Sequence, residues 1–214
     1  GLILVESWRV CRWRPRGAPR WGSLRPLLRS GANLTGHGLL SSILQQIDPL
    51  LMGKWFGAHA LGLYTRPGQL LFLPQTHIAM PLSQVLLATL SRLGTDSTDF
   101  ARHVRATATT IAHLTLPLAT VCSVMPAEIV RLLLGSAWPE AAPLLRWLAI
   151  TAATSYLTTT GYPLCVSTGH TRRLIAMSAL ALPVVLAGIW LGRGNGPMGL
   201  AAGVACANLA LLVP

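Results

Sequence analysis

Six apolar stretches, each about as long as a bilayer is thick, constrain this 214-residue chain more than any other feature. They run over 27–52, 68–90, 104–125, 142–166, 174–191 and 198–213. A hydrocarbon core of ~30 Å takes about 20 apolar residues in a helix, so the pattern predicts about six crossings. Lipid offers the backbone no hydrogen-bond partners, and continuous runs of this length satisfy their own amides only as helices. Composition agrees, because charged residues make up 11% of the chain against roughly 25% in soluble domains. The expected fold is an all-α polytopic transmembrane helix bundle.

The basic surplus does not point to nucleic acid. Seventeen Lys and Arg against six acids give a net charge of +11, but nucleic-acid binders gather such charge on a folded polar surface. Here most arginines punctuate apolar runs, so no nucleic-acid partner is expected. Cys11, Cys122, Cys165 and Cys206 are widely spaced, with no C-x-x-C pair and no histidine at ligand spacing. That spacing predicts no metal site.

Segments with turn chemistry or charge separate the spans, at 8–29, 53–66, 91–105, 126–141, 169–173 and 192–197. Alternate segments beginning with 8–29 hold seven, three (Arg92, Arg102, Arg105) and two (Arg172, Arg173) basic residues. The intervening ones hold Lys54 and Arg66, then Arg131, then Arg193, with Arg146 inside the fourth span. Twelve against four orients the first set toward the cytoplasm, since Lys and Arg in short loops are retained there. Residues 1–7 read as the end of a preceding span, 8–29 as a cytoplasmic Arg-rich loop with interfacial tryptophans, and 30–214 as a six-helix lobe. A start at Gly1 and a stop at Pro214 within an apolar run read as the cut ends of a fragment.

Five spans carry prolines: Pro49, Pro74, Pro81, Pro117, Pro163 and Pro183 fall within or at the ends of the apolar stretches. Each removes a backbone hydrogen bond and predicts a kink. Membrane helices tolerate this where neighbours or cavity water satisfy the freed carbonyl, and broken helices are common in transporters.

The first span is polar for a spanning helix. At 100° per residue, Asn33, His37, Ser41, Gln45 and Asp48 fall on one continuous face. An acid near the membrane core costs ~2.5 to 3.5 kcal/mol, so such a face is expected to meet other helices or a watery cavity. It reads as the wall of a substrate path, with interhelical hydrogen bonding as the alternative. The second span repeats the pattern with Gln69, His77 and Gln84, and Arg66 stands at its mouth, where a cation attracts phosphates or snorkels to the interface. The hydroxyl-rich fourth span (Thr151, Thr154, Ser155, Thr158, Thr159, Tyr162) reads as close helix packing. There is no paired-carboxylate arrangement, no Gly-rich phosphate loop and no serine elbow, so neither catalysis nor a cofactor is expected.

Five stretches resemble a known family. GANLTGHGLLSSILQQIDPLLMGKWFGAHALGLYTR (31–66) and LLFLPQTHIAMPLSQVLLATLSRL (70–93) are similar to passages of the polysaccharide and lipopolysaccharide flippases, the Wzx-like branch of the multidrug/oligosaccharidyl-lipid/polysaccharide exporter superfamily. PAEIVRLLLGSAWPEAAPLLRWLA (126–149) and, more weakly, STGHTRRL with GPMGLAAGVACANLAL follow in the family's order. The resemblance implies two six-helix lobes working by alternating access, this chain supplying the C-terminal lobe and the N-terminal lobe lying outside it. It further implies an undecaprenyl-pyrophosphate-linked oligosaccharide as substrate, membrane lipids as surroundings, and a bacterial inner membrane. On that reading Asn33, His37, Ser41, Gln45, Asp48, Arg66, Gln69 and His77 line the substrate path. The rivals are a cation-coupled small-solute or drug exporter of the same superfamily, a membrane glycosyltransferase or polymerase, and an inactive truncated copy.

Overall fold

The computed structural model describes residues 21–93 and 98–212, and every element among them is helical. The expected end of a preceding span at 1–7, residues 8–20 of the Arg-rich segment and Cys11 lie outside the described residues. The elements are α1 (Trp21–Pro74), a π-helical turn (Gln75–Ala79), α2 (Met80–Leu90), α3 (Thr98–Val124), α4 (Pro126–Leu133), α5 (Ala141–Thr158), α6 (Gly161–Ser167), α7 (Thr171–Gly192), a 3-10 turn (Arg193–Asn195) and α8 (Gly196–Ala210).

Three helical stretches are long and apolar enough to cross a membrane: Leu27–Leu90, Thr98–Val124 and Thr171–Ala210. Two of these fold back on themselves. Within α1, Gly57 takes φ 83 and ψ 178, a region open in practice only to glycine. Beyond it the Tyr64 hydroxyl donates to the Asp48 carboxyl, sixteen residues back along the chain. A straight helix would hold these residues ~24 Å apart, so the bend at Gly57 is a reversal. The third stretch reverses at Arg193–Asn195, and α5 with α6 supplies a further pass. The chain therefore runs up and down about six times, as the apolar stretches predict.

Contacts at both ends fix the directions. Asn33 meets Thr171 and Trp55 meets Arg193, so the first arm of α1 (21–56) lies parallel to α7. Tyr156 donates to the Leu71 carbonyl and Gln75 to Thr159, so the second arm (58–74) descends alongside α5.

Boundaries differ from the sequence reading in several places: α3 begins at Thr98, inside the expected connection 91–105, and α4 lies inside the expected connection 126–141. Segment 53–66, expected as a connection, is helical on both sides of Gly57, because one residue suffices for the turn. Residues 21–29 extend the first pass below the apolar stretch instead of remaining loop. The prolines divide by position. Pro81 stands in the first turn of α2, and the turn its missing N–H would have closed is the π-helical segment just before it, a known accommodation of a broken ladder. Pro163 opens α6, where a missing N–H costs little. Pro117 and Pro183 remain inside α3 and α7.

The largest core cluster lies toward the end of the bundle where Gly57 and Arg193 sit. There Met52, Leu63 and Tyr64 pack with Leu144, Leu145, Val185, Ile189, Leu200 and Val204. Helix α5 stands at the centre, against α1, α3, α4 and α8. Smaller clusters, Ala79 with Ile111, Ala119 and Tyr156, then Leu86 with Leu90 and Phe100, form the rest of the core. Helices α7 and α8 approach most closely: Gly188 faces Gly203 and Gly192 faces Gly199, each so near that a Cβ would stand 2.1–2.4 Å from the opposing carbonyl oxygen. Small residues four apart on each helix allow this approach, which supplies the dispersion contact that lipid does not drive hydrophobically.

Candidate functional site

The eight residues expected along a substrate path separate into two sets. Four are bonded within the protein. Asn33 Nδ2 donates to Thr171 Oγ1 at 3.2 Å. His37 Nδ1 lies 2.6 Å from Ser178 Oγ and 3.5 Å from Ser41 Oγ. Ser178 donates its own proton to the Leu174 carbonyl, so the short contact is satisfied with the imidazole proton on Nδ1 and Nε2 left as an acceptor. The ring stacks on Tyr162, centroids 5.8 Å apart. Asp48 accepts from Tyr64, which is 4% exposed. Asn33, His37 and Asp48 hold the first arm of α1 to α7, to α6 and to its own second arm, and Ser41 bonds to His37 within the first arm.

The other four face outward. Gln45, Arg66, Gln69 and His77 are exposed, and none has a hydrogen-bond or ion-pair partner among the described residues. Gln45 shares its exposed side with Gly31, Thr35, Gly38 and Ser42, spaced four, three, four and three residues apart along one helical edge. Gln69 and His77 share a face with Gln84, also exposed. The π-helical turn inserts a fifth residue between His77 and Gln84, and so rotates the two parts of this face relative to an unbroken helix.

Residues beyond the expected set also contribute. Gln75 donates to Thr159 Oγ1 at 3.1 Å while its Oε1 is buried without a partner. The outer face of α3 carries Arg102, Arg105 and Thr109 along a recess of about 600 Å³. Arg102 pairs with Asp99 at 2.9 Å. The spacing 98, 102, 105, 109, 113 was a readable signal of this face, masked by the abundance of threonine and alanine around it. Tyr64 carried no such signal, since its partner lies across a reversal. The hydroxyls of α5 satisfy themselves on their own helix, Thr151, Ser155, Thr158 and Thr159 each donating to a carbonyl three or four residues back. Of the set read as close packing, Thr154 is buried and Thr151 and Thr159 are half-buried, while Ser155, Thr158 and Tyr162 are exposed, so only part of it packs against other helices. Arg146 donates to the Ser123 carbonyl at 3.1 Å, tying the start of α5 to the end of α3.

A helical bundle of alternating passes, with polar groups both bonded internally and presented outward along its apolar helices, is a polytopic membrane protein. The chain belongs to the polysaccharide biosynthesis protein family, whose model matches residues 1–143, a stretch that contains all eight residues above. Membership gives it a role in polysaccharide synthesis or export and agrees with the likeness carried by 31–66 and 70–93. No curated protein and no solved structure matches it.

Proposed function

We propose that this chain is the C-terminal lobe of a flippase, not an enzyme, that carries an undecaprenyl-pyrophosphate-linked oligosaccharide across a bacterial inner membrane by alternating access against an N-terminal lobe. The observation that carries this reading is the exposed set: Gln45, Gln69 and His77 have no hydrogen-bond partner among the described residues and stand on helices long and apolar enough to cross a membrane, with Arg66 beside them. A polar side chain turned to hydrocarbon costs several kcal/mol, so this face calls for a polar occupant. A hydrated sugar supplies one, because its hydroxyls need partners along the route. Arg66 suits the carrier's phosphates. The internally bonded set, Asn33, His37, Ser41 and Asp48, then forms the rigid back of the same wall. A cation-coupled exporter would draw on Asp48, but Tyr64 already engages that carboxyl.

Replacing Gln45 and Gln69 by leucine in the full-length protein is expected to leave detergent melting unchanged, since both are exposed and neither has a hydrogen-bond partner among the described residues. Translocation of lipid-linked sugar should fall at least about tenfold, the effect of ~1.4 kcal/mol lost along the path. The converse holds for His37→Leu, which removes the donor to Ser178 and the ring stacked on Tyr162: stability should fall by ~0.5–1.5 kcal/mol while translocation per folded molecule persists. Wild-type translocation by the Gln45/Gln69 double variant would remove this face from the route.

The orientation has its own test. The His59 side chain is 80% exposed next to the Gly57 reversal, on the side with fewer basic residues. A cysteine at position 59 should react from outside with a membrane-impermeant maleimide in intact cells, and protection there would invert the topology.

A further inference from the structure

The tips of the two hairpins meet at a cation stacked on aromatic rings. The guanidinium carbon of Arg193, in the turn between α7 and α8, lies 3.7 Å from the Trp190 ring centroid and 6.0 Å from that of Trp55. Trp55 precedes the Gly57 reversal, so the contact joins the first hairpin to the last. Beside it Trp55, Phe56, Arg193 and Gly194 bound an open recess of about 210 Å³.

Stacking engages the faces of a guanidinium and leaves its in-plane N–H donors at the rim. None of those donors on Arg193 has an acceptor among the described residues. Glu140, a nearby acid in the sense that it belongs to the same end of the bundle, is engaged by His59 at 3.4 Å. The cation is therefore held in place while its hydrogen-bonding edge stays open. Its approach is apolar, with Trp190 61% and Leu191 85% exposed at the end of a spanning helix. Tryptophan at a helix end sits at the depth of lipid headgroups. A molecule reaching Arg193 along Leu191 thus brings an anion at one end and a hydrocarbon chain at the other.

We propose that this turn is a binding site for the phosphodiester headgroup of a membrane lipid. The fork of Arg193 matches two phosphate oxygens, the indoles of Trp190 and Trp55 hold the fork in place, and Leu191 lies along the acyl chain. Because the site joins the tips of both hairpins, its occupancy would brace this end of the lobe. The inference is independent of what the lobe transports.

Native mass spectrometry of the full-length protein, titrated in detergent with phosphatidylglycerol or with a phosphate-free diglycosyl diacylglycerol of the same chains, tests it. Phosphatidylglycerol should be retained about five- to tenfold better, the scale of one basic group on an anionic lipid. Arg193→Gln should erase that preference, and Arg193→Lys should reduce it because an ammonium cannot form the fork. Trp190→Leu, which frees the guanidinium, should also reduce it. Equal retention of the two lipids by the wild type overturns the proposal, and so does an unchanged preference in Arg193→Gln. Should Arg193→Gln fail to fold, the wild-type comparison and Arg193→Lys decide by the same criteria. A third arm with a short-chain polyprenyl pyrophosphate separates the sources: loss of its binding alone in the Arg193 variants, with phosphatidylglycerol unaffected, assigns the site to the carrier and overturns the assignment to bulk lipid.

Discussion

Gly203→Ala is expected to weaken the fold by about 1–3 kcal/mol, the usual cost of forcing a methyl into a full site, and to lower detergent melting by on the order of 5 °C. The added carbon would stand 2.1 Å from the Gly188 carbonyl oxygen, and the obstacle is backbone that no rotamer can move. Relief requires α7 and α8 to separate along their length, which also opens the contact between Gly192 and Gly199. Gly203→Leu should go further and prevent accumulation of the folded protein. Gly38 is the control. A Cβ there meets nothing within 4 Å, and replacing a helical glycine by alanine gains roughly 1 kcal/mol in propensity. Gly38→Ala should be neutral or slightly stabilising. Equal melting of the Gly203 and Gly38 variants would mean that the hairpin does not depend on this approach.

The second large effect belongs to Asp48 and Tyr64 and has a signature beyond its size. Tyr64→Phe removes the side-chain donor to the Asp48 carboxyl, and a polar group left short of a partner costs ~1–3 kcal/mol, more when it is charged. Asp48→Leu strands the buried Tyr64 hydroxyl instead. Replacing both removes the stranded group in either direction, so the double variant should be more stable than Tyr64→Phe alone. Melting of the four proteins in one detergent measures this coupling. Additive losses would show that the bond contributes nothing to holding the two arms of α1 together. Translocation gives a second readout, because the exposed face carrying Gln45 keeps its side chains in the double variant.

The sequence alone determined that the chain is a bundle of membrane-spanning helices with about six passes, and roughly where they lie. Lipid demands continuous apolar helix, and that demand is written residue by residue, in runs that proline and glycine interrupt visibly. Gly57 lay within a segment already read as a connection, although its helical flanks were missed because a single glycine with positive φ replaces a whole loop. The polar face of the first span was legible too, for helical periodicity alone puts Asn33, His37, Ser41, Gln45 and Asp48 within about a third of the circumference.

What stands opposite that face was decided only by tertiary structure. The partners of Asn33 and His37 are 138 and 141 residues away, and the partner of Asp48 arrives by a reversal. Periodicity gives angles around one axis and is silent about which helix lies across it. The same five residues therefore divide into four half-buried and bonded within the protein, and one, Gln45, turned outward. Membership of the stripe came from the period of the helix, and the division of labour within it came from packing.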